Sequence, residues 1–266
     1  SFSPDGLRAT GYAPWIAMVR SAMRASGGLR IDHAFGMARL WVIPDGGTSA
    51  DGAYLDFPFE DLVRLATLEA HRANCLVIAE DLGTSPHGFT QVISESQMLG
   101  MRVLWFERAQ DHGFIGAQDY PANAVAMTGT HDTQTVAGWW SGRDLDWADE
   151  LRRLPESLTR AQAEDIRAWD RGLLWSTIGA GDRPAPEETA PVVDAAIAHV
   201  AATPAALAIV PIEDLLGDVE QPNLPGTTTG HPNWQRRLEA PLDTILAAPD
   251  VRRRLDILGS ENGPGG

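Results

Sequence analysis

Asp32, Glu80 and Asp132 each close a short apolar run, and each is followed by a loop. The runs are Gly-Gly-Leu-Arg-Ile-Asp at 27–32, Cys-Leu-Val-Ile-Ala-Glu at 75–80 and Ala-Val-Ala-Met-Thr-Gly-Thr-His-Asp at 124–132. An acid at the C-terminal end of a buried strand is poorly placed for packing. In a parallel α/β barrel that end is the mouth, where the chemistry of the fold is done. Three acids so placed point to a site that cleaves sugars.

Composition narrows the partners. The 266 residues carry a formal net charge of -15, which repels nucleic acid and anionic membrane alike. A neutral glucan feels no such repulsion. Nine Trp against three Tyr supply broad indole faces, suited to pyranose rings as well as to core packing. No apolar stretch approaches the ~18 residues of a membrane helix. Cys75 is the only cysteine, so no intrachain disulfide can form. It is expected as a buried, inert thiol, and a cytoplasmic location is expected with it. The sequence carries no signal for an oligomeric state.

Strands are expected at 29–31, 76–79, 103–106, 125–127 and 206–212, with helical patterns between them. Tyr12 to Arg24 places Trp15, Ile16, Val19 and Met23 on one helical face, and 62–73 forms a second helix. Alternation of this kind predicts a parallel sheet with crossover helices. Residues 141–205 show no strand pattern. Thr159 opens a capping box with Gln162, ahead of a helix with Ile166, Trp169, Leu173 and Leu174 on one side. Thr189 opens another, stopped by Pro204. The expected organisation is a barrel portion over 1–140, a helical insertion over 141–205, and a last strand with C-terminal helices over 206–260. A disordered tail is expected over 261–266. Five strands cannot close an eight-stranded barrel, so the alternatives are an incomplete barrel and an open doubly wound sheet.

Leu29-Arg-Ile-Asp-His33, Ile78-Ala-Glu-Asp-Leu-Gly83 and Gly129-Thr-His-Asp-Thr133 together resemble the catalytic segments of the 4-α-glucanotransferases, or amylomaltases, of the α-amylase clan. The resemblance also takes in Trp41-Val-Ile-Pro44, Gly52-Ala-Tyr-Leu-Asp-Phe-Pro58, Asn223-Leu-Pro-Gly-Thr227 and His231-Pro-Asn-Trp234. It implies an α/β fold, an incomplete (β/α)₈ TIM barrel comprising strands four to eight, with the helical insertion before the last strand. On that mapping the chain would begin after strand three and leave apolar strand faces uncovered.

The resemblance also assigns roles. Asp32 would be the nucleophile, forming a covalent glucosyl-enzyme, and Arg30, on the same strand face, would keep it ionised. Glu80 would be the acid/base, which calls for a raised pKa in its apolar setting. Asp132 would bind the sugar's 2- and 3-hydroxyls, His131 and His33 neighbouring hydroxyls, and Tyr54 would reach the sugar from a glycine-flanked loop. Retention of configuration needs Asp32 and Glu80 about 5–5.5 Å apart. The chemistry requires no metal or organic cofactor, and the other histidines lack ligand spacing.

The implied activity is transfer of α-1,4-glucan segments between malto-oligosaccharides. Two alternatives are an α-1,4-glucan hydrolase with the same trio and an inactive glucan-binding fragment. Taken singly, each acid could instead cap a helix or loop, and Asp81 reads as such a cap. An α/β hydrolase is disfavoured by the lack of a Gly-x-Ser-x-Gly elbow.

Overall fold

The computed structural model describes residues 2–259; the expected tail at 261–266 lies outside the described residues. The described residues form seven strands: β1 (Gly28–Ile31), β2 (Arg39–Val42), β3 (Ala53–Asp56), β4 (Leu76–Ala79), β5 (Leu99–Val103), β6 (Ala124–Met127) and β7 (Leu207–Ile209). Five form one sheet in the order β1-β4-β5-β6-β7, keeping sequence order, and β2 and β3 pair separately. The fold is α/β, with a five-stranded parallel sheet consistent with part of a barrel. Contacts divide the chain into one unit of Ser1–Met101 with Asn123–Val125, and a second of Arg102–Ala122 with Ala126–Gly266.

In the first unit β1 and β4 run parallel, with Gly28 opposite Leu76 and Ile31 opposite Ala79. Their side chains pack on two helices. Helix Ala13–Met23 buries Trp15, Val19 and Met23. Helix Phe59–Ala73 buries Leu62, Val63, Ala66 and Ala70, a spacing that keeps one face on the core. That helix has Glu60 and Asp61 in its first turn, His71 and Arg72 in its last, and Asn74 in the left-handed region at φ 50 as its C-cap. Glu69 is buried on the same face, and the Arg20 guanidinium bonded to it holds its carboxyl below the usual range.

Several sequence expectations are corrected. The third sheet strand is Leu99–Val103, not 103–106; Leu104–Phe106 is a 3₁₀ turn. Gly100 interrupts the apolar pattern, but its backbone N–H still reaches the Asn123 carbonyl at 3.4 Å. The last strand stops at Ile209, because Pro211 is the N-cap of helix Ile212–Leu216. Cys75 is half-buried just before β4 rather than enclosed in it. Tyr54 lies on a strand, opposite Trp41 in the antiparallel β2–β3 pair, and not in a loop.

The second unit is mostly helical. Helix Arg160–Ile178 starts with the expected Thr159–Gln162 capping box. Its inward face is rotated from the expected one: Ala163, Arg167, Arg171 and Leu174 are buried, whereas Ile166 and Trp169 are exposed. Paired arginines explain this. Arg167 donates to the Trp139 carbonyl and to Asp144, and lies over the Trp139 ring at 4.4 Å. Arg171 donates to the Trp140 carbonyl and to Glu164. A guanidinium paired with carbonyls and a carboxylate can be buried where an unpaired one cannot, although Arg171 keeps one buried nitrogen, Nη2, without a partner. Helix Ala190–Ala201 packs Val192, Val193, Ala196, Ile197 and Val200 inward and ends three residues before Pro204. No described helix is long and apolar enough to cross a membrane.

Candidate active site

Asp32 and Glu80 are the residues that follow the last register pair of β1 and β4, Ile31 and Ala79. The Glu80 backbone N–H donates to the Ile31 carbonyl at 3.0 Å, so both acids leave the sheet at the same end. This follows from parallel pairing: strands aligned in register expose their next residues together. The Asp32 side chain is 77% exposed and is paired with Arg30, Nη1 to Oδ1 at 2.7 Å. Alternation along β1 puts residues 30 and 32 on one face, which lets the guanidinium reach its neighbour.

Glu80 is held differently. One carboxylate oxygen accepts the His33 backbone N–H at 2.7 Å and the other accepts the Leu82 N–H at 3.0 Å. His33 contributes through its backbone, which turns into the left-handed region at φ 43; its exposed ring meets Phe35 edge-on at 6.1 Å. A carboxylate offers about four lone-pair positions, so two remain for a substrate or a proton. Asp81 has a packing task instead, its Oδ1 accepting the Met101 N–H at 2.8 Å. Tyr54 is exposed, with Trp41 edge-on at 5.0 Å and the Arg39 guanidinium over its ring at 4.5 Å. A cavity of about 460 Å³ runs along Leu29, Ile31, Trp15, Met18 and Leu40, and the polar groups in its wall are Arg30, Asp32 and His33.

In the second unit, Asp132 sits in the loop after β6. Its Oδ1 accepts from Asn223 Nδ2 at 2.6 Å, and its Oδ2 lies 3.4 Å from His131 Nε2. The His131 ring is 5.3 Å from that of Trp234, which is 65% exposed and held at φ 58. Asn233 fixes the 224–233 turn, accepting from the Leu224 N–H and donating to the Thr227 carbonyl. Asn223 and Trp234 were visible in the sequence as motif residues but carried no role; only the folded turn brings them to Asp132 and His131. Among the described residues, no group of three His, Cys, Asp or Glu side chains could hold a metal ion.

The profile of the 4-alpha-glucanotransferase family matches residues 1–243. The chain belongs to that family. The 4-alpha-glucanotransferase of Haemophilus influenzae is 36% identical over 256 residues, 92% of this chain and 36% of the relative. That of Mycobacterium bovis is 33% identical over 258 residues, 93% of this chain and 35% of the relative. Among solved structures, the amylomaltase of Corynebacterium glutamicum superposes with a TM-score of 0.85 at 28% identity, over 96% of this chain and 39% of that one. An amylomaltase from Streptococcus agalactiae in complex with acarbose shares the fold, with a TM-score of 0.70 at 23% identity, over 97% of this chain and 46% of that one. The chain thus spans little more than a third of the length of the Haemophilus influenzae and Mycobacterium bovis relatives.

Proposed function

We propose that the protein is a retaining 4-α-glucanotransferase that moves α-1,4-glucan segments between malto-oligosaccharides. The observation that carries this reading is the pairing of Asp32 and Glu80 at one end of adjacent parallel strands, in a chain of this family. On the family mapping, β1, β4, β5, β6 and β7 correspond to barrel strands four to eight.

Asp32 attacks the anomeric carbon while Glu80 gives its proton to the glycosidic oxygen, and the leaving glucan departs. Glu80, now a carboxylate, takes the proton from an incoming 4-hydroxyl, which displaces Asp32. Two inversions return the original anomeric configuration. Arg30, at 2.7 Å, aims the Asp32 carboxylate. Asp132 accepts hydrogen bonds from sugar hydroxyls as positive charge develops on the ring, a stabilisation that grows toward the transition state. His131, His33 and Tyr54 are the proposed sugar contacts.

The covalent step is tested with Glu80→Gln in the full-length protein and a maltosyl donor bearing a good leaving group. Such a donor reacts without acid assistance but leaves an intermediate that is slow to resolve. Peptide mass analysis should find a glycosyl ester on Asp32. An adduct on another residue, or none under steady turnover, would refute the assignment.

A further inference from the structure

Asp214 is an acid inside the short helix Ile212–Leu216, and it is 1% exposed. A carboxylate so deeply buried must be bonded, and its two bonds go to the two ends of one loop. Oδ2 accepts the Thr128 hydroxyl at 2.6 Å, and Oδ1 accepts the Val136 backbone N–H at 2.7 Å. Thr128 is the first residue after β6, and Val136 is the first residue of helix Val136–Ser141. Everything between them is the loop that carries His131 and Asp132.

The loop is ordered internally as well. Thr130 N–H donates to Thr133 Oγ1 at 2.8 Å, and Asp132 N–H donates to Thr130 Oγ1 at 3.2 Å. Gly129 lies close against this arrangement: a Cβ there would come within 3.0 Å of Thr133 Oγ1 and 3.6 Å of Asp214 Oδ2. One buried carboxylate therefore fixes both feet of a hydrogen-bonded loop, and the exposed carboxylate stands between them.

We propose that Asp214 is a positioning residue for the transfer reaction, setting the height and direction of Asp132 by clamping Thr128 to Val136. This rests on the role given to Asp132 above. Chemistry predicts which substitutions the clamp tolerates. An asparagine can still accept from Val136 N–H with its carbonyl and donate to the Thr128 hydroxyl, which accepts as readily as it donates. Alanine can do neither, and valine at 128 removes only one foot.

The test compares variants of the full-length protein with maltotriose as donor and acceptor, turnover being normalised to folded protein. Asp214→Ala should lower kcat about 100-fold, as expected when a group that binds the transition state is displaced. KM should change less than kcat. Asp214→Asn should restore most of the rate, and Thr128→Val should lose less than Asp214→Ala. Because the clamp acts only through Asp132, adding Asp214→Ala to Asp132→Asn should not reduce the residual turnover further. A folded Asp214→Ala protein with wild-type kcat, or losses that multiply in the double variant, would overturn the inference. If Asp214→Ala does not fold, Thr128→Val decides, and an unchanged kcat there overturns it. Asp132→Asn with wild-type transfer would sink the functional reading itself; Asp132→Asn inactive beside an unaffected Asp214→Ala would sink the clamp alone.

Discussion

Asp32 in the first unit and Asp214 in the second are carboxylates beside short strands, held in opposite ways. Asp32 is largely exposed and has the adjacent Arg30 as its ion-pair partner. Asp214 is enclosed and has both oxygens bonded to its own fold. Burial pushes its pKa up from 3.8 to about 6, against the opposing pull of the Thr128 and Val136 bonds. The repulsion of Glu213 adds to the rise, and Arg254 opposes it. On the roles proposed for them, the contrast separates two uses of one side chain. An acid that must meet a substrate keeps lone pairs facing outward, whereas an acid that holds a loop has them filled.

The same chemical change should therefore have opposite consequences at the two sites. Asp32→Asn should leave the fold intact and reduce glucan transfer by more than about 10⁴-fold, since an amide cannot form the glycosyl ester. Steady-state rates on maltotriose check this, with deamidation excluded by mass, and wild-type activity would break the comparison. Next in size, Glu80→Gln should cost about 10²–10⁴-fold on natural glucans and much less on a donor with a good leaving group. Equal losses on both donors would remove Glu80 from the acid/base role.

At Asp214 the effect is on stability. Between about pH 4 and pH 6 the folded chain binds this proton and the unfolded chain does not, so the contribution is favourable at low pH and disappears as pH rises through 6. The stability of wild type relative to Asp214→Asn should fall by up to about 3 kcal/mol between pH 4 and pH 7. Urea unfolding at several pH values measures it, and a pH-independent difference would contradict the assignment. The smallest effect belongs to Trp169, which is 74% exposed: Trp169→Ser should change stability by about 0.5 kcal/mol or less, against roughly 2–5 kcal/mol for Leu174→Ala on the buried face.

The legible parts of this molecule were those set by local pattern. The apolar runs ending in Asp32 and Glu80 fixed the strands, and parallel register then placed the acids at one end. The Thr159 cap was readable because its partner is three residues away. Side chains engaged over long sequence distances were not readable. Arg167 and Arg171 displaced Ile166 and Trp169 from the inward face because the Trp139 and Trp140 carbonyls and the Asp144 carboxylate, distant in sequence, accept from them. Asn223 reaches Asp132 across 91 positions, and Asp214 reaches Thr128 across 86. The β2–β3 pair was missed because Gly, Pro and Asp between its strands suggested a loop, while the Trp41–Tyr54 cross-strand contact is tertiary. The one trace of the clamp in the sequence was an acid set among Ile212, Leu215 and Leu216, a burial that demands donors.

The central claim is that Asp32 and Glu80 pass a glucan segment to a sugar rather than to water. The direct measurement is incubation of the full-length protein with maltotriose, following both chain-length distribution and the number of reducing ends. Transfer redistributes lengths, giving products both shorter and longer than the starting trisaccharide, while the number of reducing ends stays constant; Asp32→Asn should give neither. A steady rise in reducing ends without longer products would show hydrolysis and contradict the account.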